Sequence, residues 1–416
     1  ALTVGATLCT GTAADLVPGP ALIEFLARRQ INAVTLTPTV LRAMPVNPLP
    51  DLRVLVCCGE ACPPDLLDAW AGGRRFFNAY GPTEVTIWST TDECAPGEVR
   101  PSIGRPIPNL RVYVLDAQGR PVPAGAPGEL YIGGVGVGRG YLNRPEQTAE
   151  HFVADPFAGR DGAMMYRTGD KVRFLPDGRL DFIKRMDRQV KIRGVRVELG
   201  EIESAVRRHP SIDEAVVLLC EGLPYACITA AEGAAPDEAA LRAYLVEHLP
   251  RVLIPVSFTT VAAFPRTLSG KVDRKALERG AFESSAREEA EAGAAPARAA
   301  TEEEIRQLEG WNLEACRPRA QGCTADALFD EACLKHIDRA ALRQNGRSIS
   351  YRELGRLANR LALRLRREGI GAEDPVLICG RRSIEAVVAM LAVVKAGATY
   401  VPVDAGVPER RMREAC

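Results

Sequence analysis

The stretch Asn78-Ala79-Tyr80-Gly81-Pro82-Thr83-Glu84 decides how the rest of this chain is read. It follows the apolar pair Phe76-Phe77, and Gly81-Pro82 breaks the chain sharply. Such a segment predicts a short buried strand running into a tight turn. Within seven residues the turn offers a side-chain amide, a phenol ring, a hydroxyl and a carboxylate. That set suits a nucleotide: the amide reads a base edge, the ring stacks on it, the hydroxyl sits near phosphate and the carboxylate holds a magnesium ion. A polar turn between core elements uses the same residue types, so the segment alone leaves both readings open.

The bulk properties narrow the field. A chain of 416 residues allows roughly two or three folding units and a sizeable core. The formal charge is +0, with 25% charged residues, which points to neither a nucleic-acid partner nor an anionic membrane surface. No apolar stretch is long enough to span a bilayer. The twelve cysteines are scattered and form no C-x-x-C pair, so neither a zinc site nor a redox motif is expected. Cys57 and Cys58 lie in an apolar run and read as buried small residues. With no signal peptide in the sequence, free thiols in a reducing cytoplasm are the simpler expectation. Both ends of the chain read as cut ends.

Outward from the heptapeptide, Ala33-Val34-Thr35-Leu36 and Val54-Leu55-Val56-Cys57-Cys58 read as buried strands, and Asp65 to Trp70 as a helix. Helical spacing also marks Ala21 to Arg29. Strand, helix, strand alternation argues for a parallel sheet covered by helices. Gly59-Glu60 follows a strand end, where open α/β sheets place ligands, so that turn is a second candidate site wall. From Leu110 the pattern becomes antiparallel: Leu110 to Leu115 and Glu129 to Ile132 alternate. The glycines from Gly133 to Gly140 match neither phosphate-loop spacing and read as structural turns.

Tyr166-Arg167-Thr168-Gly169-Asp170 ends in an aspartate that can grip a vicinal diol or cap its own turn. Arg185-Met186-Asp187-Arg188-Gln189-Val190-Lys191-Ile192-Arg193-Gly194 opens a compact α+β set running to His248. Phe264 to Arg274 is a loop holding Lys271, read locally as a solvated lysine. Ser284 to Ala300 is rich in Ala, Glu, Arg, Gly and Pro with no apolar periodicity, hence a linker. Thr301-Glu302-Glu303-Glu304 is a capping box opening a helix through Leu308. Further on, Ser350-Tyr351-Arg352-Glu353-Leu354 starts a helix, Val376 to Ile378 is a strand, Ile384 to Lys395 a helix, and Tyr400 to Asp404 a strand end. His151, His209, His248 and His336 lie far apart and read as surface or packing residues.

Together these motifs resemble the adenylation domains of nonribosomal peptide synthetases, within the adenylate-forming (AMP-binding) enzymes. The heptapeptide resembles the family's adenine-binding signature. Arg139-Gly140-Tyr141 with Arg144-Pro145, the Asp170 motif, the Asp187 stretch and the Lys271 loop resemble later signatures. Ser350 to Leu354 and Lys395-Ala396-Gly397-Ala398-Thr399-Tyr400-Val401-Pro402 resemble the first two, and Trp311-Asn312 through Phe329 the connector before such a domain. Lys184 stands where the family usually has Gly, and Ser269 where Asn is commoner.

The resemblance implies an α/β adenylate-forming fold: a large α/β lobe with an antiparallel β region and a small α+β C-terminal lobe, with segments in non-standard order. It divides the chain into 1–186, the second part of the large lobe; 187–277, the small lobe; 278–300, a flexible linker; 301–330, the connector; and 331–416, the first part of the large lobe. The implied reaction is attack of an amino-acid carboxylate on the α-phosphate of ATP, giving aminoacyl-AMP for transfer to a carrier-protein thiol. Implied cofactors are ATP and Mg2+. Implied partners are an amino acid, a peptidyl carrier protein and neighbouring synthetase modules, with no nucleic acid and no membrane. Lys271, Glu84 and Arg185 are implied as catalytic, Glu84 as the magnesium ligand, and Asp187 as the hinge. Asn78, Tyr80, Gly81, Thr83, Asp170, Gly59 and Glu60 would hold the nucleotide. Thr35, Val56, Cys58, Ala79, Ile87 and Trp88 would line the side-chain pocket, which favours an apolar amino acid.

In this sequence the later signatures come first. No stretch matches the family's phosphate-clasping loop ending in Lys-Gly or the segment holding its amine-binding aspartate. A segment across two modules, a permuted domain and a fragment completed by another chain all fit. Weak or absent adenylation by this chain alone is the expectation. An acyl-CoA ligase of the same superfamily and a remnant that folds without activating anything stay open.

Overall fold

The computed structural model describes residues 1–187, 189–192, 195–220, 222–266, 272–274, 276–277, 298–315 and 324–404. The chain divides into two compact units, one of Ala1–Ile31, Ala43–Asp51 and Arg319–Cys416, the other of Asn32–Arg42 and Leu52–Pro318.

In the larger unit, strands Ala33–Leu36, Val54–Cys58 and Arg75–Tyr80 run parallel. Thr90–Cys94 and Arg105–Pro106 extend this sheet antiparallel. Helix Pro64–Trp70 joins two of the parallel strands and buries Leu66, Leu67 and Trp70. Its first-turn proline is tolerated because an N–H there would have no helical partner. Successive side chains alternate between sheet faces. Leu55, Cys57 and Phe76 are fully buried, whereas Val56, Cys58 and Phe77 on the other face are only partly covered. Cys58 is therefore half-buried, against the sequence expectation. Asn78, Ala79 and Tyr80 also complete the strand instead of opening the turn. Their backbones pair with Cys57 and Cys58 on one side and with Asp92, Thr91 and Thr90 on the other.

An antiparallel sheet follows in the same unit, ordered Leu180–Arg185, Met164–Phe174, Gly128–Gly134, Leu110–Leu115, with Phe152–Ala154 paired to Met164–Phe174. Val112, Leu130, Ile132, Tyr166, Val172 and Phe174 form its core. The register against Gly128–Gly134 shifts between Arg167 and Lys171. That irregularity bends the strand and re-aims a side chain, and the residues inside it are Thr168, Gly169 and Asp170.

Helix Glu302–Ala315 packs on this sheet. It runs past Leu308, where the sequence reading ended it, because Ile305, Leu308, Trp311 and Asn312 share one helical face. The Trp311 ring lies 5.2 Å from that of Phe174. The Asn312 amide accepts from Val112 N at 2.9 Å and donates to Val112 O at 3.0 Å, so it satisfies an edge strand's backbone. The small α+β part holds the hairpin Gln189–Ile192 with Val195–Glu198 and the strands Ile212–Cys220, Leu223–Ala230 and Phe258–Thr260. Its helices Leu199–Arg207 and Glu238–His248 close a core around Ile202, Val206, Val217 and Leu241.

In the smaller unit, Leu8–Thr10 runs parallel to Ala340–Gln344, which pairs antiparallel with Arg347–Ser350. Residues from the two ends of the chain thus share one sheet, and the Tyr351 hydroxyl donates to Ala6 O at 2.7 Å. Ser350 and Glu353 form a capping box that starts helix Tyr351–Arg367. Helix Ile384–Ala396 connects the parallel strands Pro375–Gly380 and Thr399–Asp404. Among the described residues, no helix is long and apolar enough to cross a membrane.

Candidate active site

The end of one strand of the larger unit and the interior of another meet at Tyr80 and Asp170. Tyr80 closes strand Arg75–Tyr80, and its hydroxyl donates to Asp170 Oδ2. Asp170 sits on the irregular stretch of Met164–Phe174, with its backbone N–H donated to Thr168 Oγ1 at 3.0 Å. Arg185 Nη1 donates to Asp170 Oδ1 at 2.9 Å and to Thr168 O at 2.9 Å. Both Asp170 oxygens are engaged, but a carboxylate has about four acceptor positions, so each keeps capacity. Burial, then the charge of Asp170, pushes the Tyr80 phenol well above its ordinary value, so it stays a proton donor. Burial works against the Arg185 charge. The hydrogen bond to Asp187 and the nearby carboxylates outweigh it and hold the guanidinium above its ordinary value.

Glycine is needed twice here. Gly169 has φ +72°, and a Cβ there would meet Asp187 Oδ2 at 2.9 Å. A Cβ on Gly81 would meet Ile87 O at 2.5 Å and Ser89 N at 2.7 Å. Only a bare backbone lets the turn fold back so tightly that Ser89 N donates to Tyr80 O at 2.7 Å.

Tyr80, Asp170 and Arg185 line a cavity of about 750 Å³. Gly59, Glu60, Asn78 and Ala79 line it as well, which places it at the carboxyl ends of the parallel strands. Asn78 is buried and donates Nδ2 to Ser102 O at 2.7 Å. Glu60 Oε2 accepts from Thr39 N at 3.0 Å and Thr39 Oγ1 at 2.6 Å, while its Oε1 is buried with no hydrogen-bond partner. Sequence reasoning missed Phe182, Gln189 and Lys191 on this wall. The Lys191 ammonium lies 5.8 Å from the Tyr80 ring centre, a cation–π distance. Its signal was in the sequence, inside the quoted stretch after Arg185. Phe182 carried none.

Glu84 lies elsewhere. It sits in the 3-10 turn Thr83–Val85 and is not on the cavity wall; Glu84 Oε1 accepts from the Tyr141 hydroxyl at 2.6 Å. Burial, then the hydrogen bond to Glu84, pushes the Tyr141 phenol up. The next residues are strained: Thr86 has φ +60° and Ile87 φ +72°. β-branched side chains seldom occupy that region, and such outliers gather at functional sites. Thr83 is exposed on the same turn.

Of the pocket residues, Thr35, Val56, Cys58 and Ala79 share one face of the parallel sheet, with Thr35 opposite Val56 and Cys58 opposite Ala79. Of these, Ala79 also lines the cavity. Trp88 is half-buried, and Ile87 is 72% exposed. Asp187 Oδ1 accepts from Arg185 Nε at 2.9 Å and Gln189 N at 3.0 Å, which ties the hinge candidate to the cavity wall. Lys184 is a regular strand residue opposite Lys171. Lys271 lies outside the described residues.

A parallel α/β sheet with a cavity at its carboxyl strand ends defines an α/β ligand-binding protein. The AMP-binding enzyme family model matches residues 1–142 and 329–416, and the AMP-binding enzyme C-terminal domain model matches residues 201–271. The chain belongs to the AMP-binding enzyme family, and its fold is the α/β adenylate-forming one. It is 46% identical over 287 residues to the chondramide synthase of Chondromyces crocatus, covering 67% of this chain and 7% of that protein. The chain spans 4% and 6% of two linear gramicidin synthase subunits it also matches, and 47% of the novobiocin biosynthesis protein H. Holo-PA1221, an NRPS protein containing adenylation and PCP domains, is similar with TM-score 0.56 and 30% identity, over 62% of this chain and 46% of that one. The Vibrio cholerae adenylation domain AlmE, in complex with glycyl-adenosine-5'-phosphate, gives TM-score 0.55 and 29% identity, over 63% of this chain and 52% of that one.

Proposed function

We propose that the chain is part of a synthetase module that activates an amino acid with ATP to aminoacyl-AMP, for transfer to a carrier-protein thiol. The observation that carries this reading is the Tyr80–Asp170–Arg185 cluster on a cavity wall at the carboxyl strand ends, in a chain of the AMP-binding family. Two anions, a carboxylate and a phosphate, must approach each other, so the protein's task is positioning and charge neutralisation. The lone pairs left on Asp170 take the ribose hydroxyls. The Tyr80 ring offers a stacking face for adenine, and Asn78 lies beside it. The unpartnered Glu60 Oε1 is an acceptor for an amino group on the ligand, and Gly59 and Gly81 let backbone approach closely. Arg185 and Lys191 supply positive charge along the wall, and Thr83 serves the phosphates. Lys271 is proposed to bridge the reacting oxygens.

Glu84 is the proposed magnesium ligand. A carboxylate is the hard oxygen donor that Mg2+ takes, and that ion is held by one or two carboxylates completed by phosphate oxygens and water. The Tyr141 hydrogen bond would keep the Glu84 carboxylate oriented. When bound, the ion supplies charge neutralisation on the phosphates. The sheet face of Thr35, Val56, Cys58 and Ala79, with Ile87 and Trp88, is mostly apolar, which favours an apolar amino acid. Asp187 serves as the hinge. A carrier-protein partner is supported by the adenylation–PCP architecture named for the similar structure.

Titration of AMP into the purified chain by calorimetry tests the reading. We expect binding that Asp170→Ala removes. No measurable heat with the folded wild-type chain would sink it. Pyrophosphate exchange with a panel of amino acids then reads the chemistry: weak or absent exchange is expected of this chain alone, and robust turnover would overturn that expectation.

A further inference from the structure

We propose that the groove beside helix Tyr351–Arg367 in the smaller unit docks an acidic amphipathic helix of a partner protein. This helix carries Arg352, Arg356, Arg360 and Arg364 at four-residue intervals, and Arg367 just beyond. Four residues make little more than one turn, so the guanidinium groups form a single row. All five arginines are exposed and line the groove, whose volume is about 950 Å³. Leu334 and Ile337 form part of its other wall, from the end of helix Ala325–Lys335 and the turn after it. Leu334 is 78% exposed and Leu363, within the arginine row, 56%. Leu354, Ala358 and Ala362 are buried on the helix's opposite side.

Like charges at that spacing destabilise their own helix. Arg352 is answered by Asp338 at 2.9 Å. Arg356 follows Glu353 by three positions, within reach on a helix surface. Among the described residues, the side chains of Arg360, Arg364 and Arg367 make no hydrogen bond or ion pair. Asp330 is the one acid on the groove wall among them, and Lys395 already pairs with it. Cations in a last turn complement the helix dipole, which accounts for Arg364 and Arg367 but not for Arg356 or Arg360.

The occupant follows from charge and shape. A groove walled by helices receives a rod, whereas a flat bilayer surface passes over it. A nucleic acid draws on stacking aromatics and a positive field. Here the one aromatic on the wall among the described residues, Tyr351, is fully buried, and the chain's formal charge is +0. Two helices share the same rise per residue, so carboxylates four apart fall in step with arginines four apart. Each guanidinium can donate two parallel N–H bonds to a carboxylate. Apolar residues beside those carboxylates would cover Leu334, Ile337 and Leu363, which is the helix-in-groove mode of recognition. From Arg352 to Arg367 the row runs about 22 Å, so the partner helix needs about four turns. The smaller unit carries the whole surface, so the docking does not rest on the proposed function.

The probe is a fluorescein-labelled helical peptide of about sixteen residues, with Glu at every fourth position and Leu beside it on the same face. Fluorescence anisotropy against the full chain reads the binding. Wild type should bind this peptide about tenfold more tightly than a scrambled peptide of the same composition, and less tightly as salt rises. Arg360→Glu combined with Arg364→Glu should weaken binding by about tenfold or more. That pair of changes relieves like-charge repulsion on an exposed face, and circular dichroism checks that the helix persists. Arg360→Gln with Arg364→Gln repeats the test with the charge removed and not reversed. Leu334→Ser should weaken binding at unchanged salt dependence. Equal affinity for the ordered and scrambled peptides overturns the proposal, as does equal affinity of wild type and the double variants, or no binding at all. Tighter binding to phosphatidylserine vesicles or to a single-stranded oligonucleotide than to the peptide overturns it as well, and marks a membrane or nucleic-acid surface instead.

Discussion

Asp170 and Glu84 are both carboxylates of the larger unit, and their surroundings differ in kind. Asp170 lies in a bulged strand, its side chain 5% exposed, gripped by Arg185 and Tyr80. Glu84 rides a 3-10 turn that leads into two left-handed β-branched residues, and it meets Tyr141 from a neighbouring loop. In the first region the polar groups hold the fold, and the proposed ligand would use the bonding capacity left over. In the second, the backbone itself is held away from its preferred conformation. Substitution should therefore cost the first region stability and binding together, and the second region mainly function.

Asp170→Ala is the harshest test of that contrast. It leaves Arg185 in a partly buried place with one carboxylate partner removed, and leaves the Tyr80 hydroxyl without its acceptor. Removing one partner of such a pair costs about 3 kcal/mol. Urea denaturation should show that loss together with loss of AMP binding. Unchanged stability would mean that Asp170 is no more integral to the fold than Glu84.

Much of this contrast could be read in the sequence, and part could not. The strand before the turn, the antiparallel region and the α+β part follow from period-2 runs and turn residues. Asp170 could be singled out as an aspartate after Thr168-Gly169 at a turn, and only the family resemblance chose diol grip over turn cap. The partner of Asp170 on the opposite strand end was not, because pairing Tyr80 with Asp170 spans 90 positions of chain. No local period encodes that distance. Phe182 and Ile183 alternate as any strand residues do, so nothing marked Phe182 as a cavity wall. The Glu60 contact with Thr39 was hidden for the same reason. The sharing of one sheet by Leu8–Thr10 and Ala340–Gln344 depends on tertiary packing alone.

Tyr80→Phe is a gentler probe of the first region. It removes the donor to Asp170 while keeping the ring, and a hydrogen bond to a charged group is worth about 2 kcal/mol. The pH dependence carries a sign. The folded phenol titrates well above its ordinary value, so the unfolded chain loses this proton first on the alkaline side. The stabilisation is complete below about pH 10, the usual phenol range, and is lost as pH rises beyond it. Stability curves above that pH should fall less steeply in Tyr80→Phe than in wild type. Parallel curves would show that the phenol is not held neutral by its surroundings.

On the Glu84 side, Ile87→Gly asks whether strain is stored. A left-handed conformation costs a β-branched residue on the order of 1–2 kcal/mol, and glycine returns part of that as chain entropy. Ile87 is largely exposed, so little packing is lost. A net gain of about 1 kcal/mol or less in unfolding free energy is expected, visible as a shift to higher urea at unchanged slope. Destabilisation instead would place Ile87 among the structural residues, erasing the contrast.

Glu84→Gln should change stability least. The amide keeps an oxygen that can accept from the Tyr141 hydroxyl, so the change stays below about 0.5 kcal/mol, as for most substitutions away from the core. What the amide lacks is the charge that a hard dication requires. AMP, which needs no metal, should bind the variant as it binds wild type. ATP should bind wild type more tightly with magnesium than without, and bind the variant equally in both cases. A variant that keeps the magnesium effect would move the metal role to another carboxylate. A variant that loses AMP binding too would join the Glu84 turn to the Asp170 cavity as a single, indivisible site.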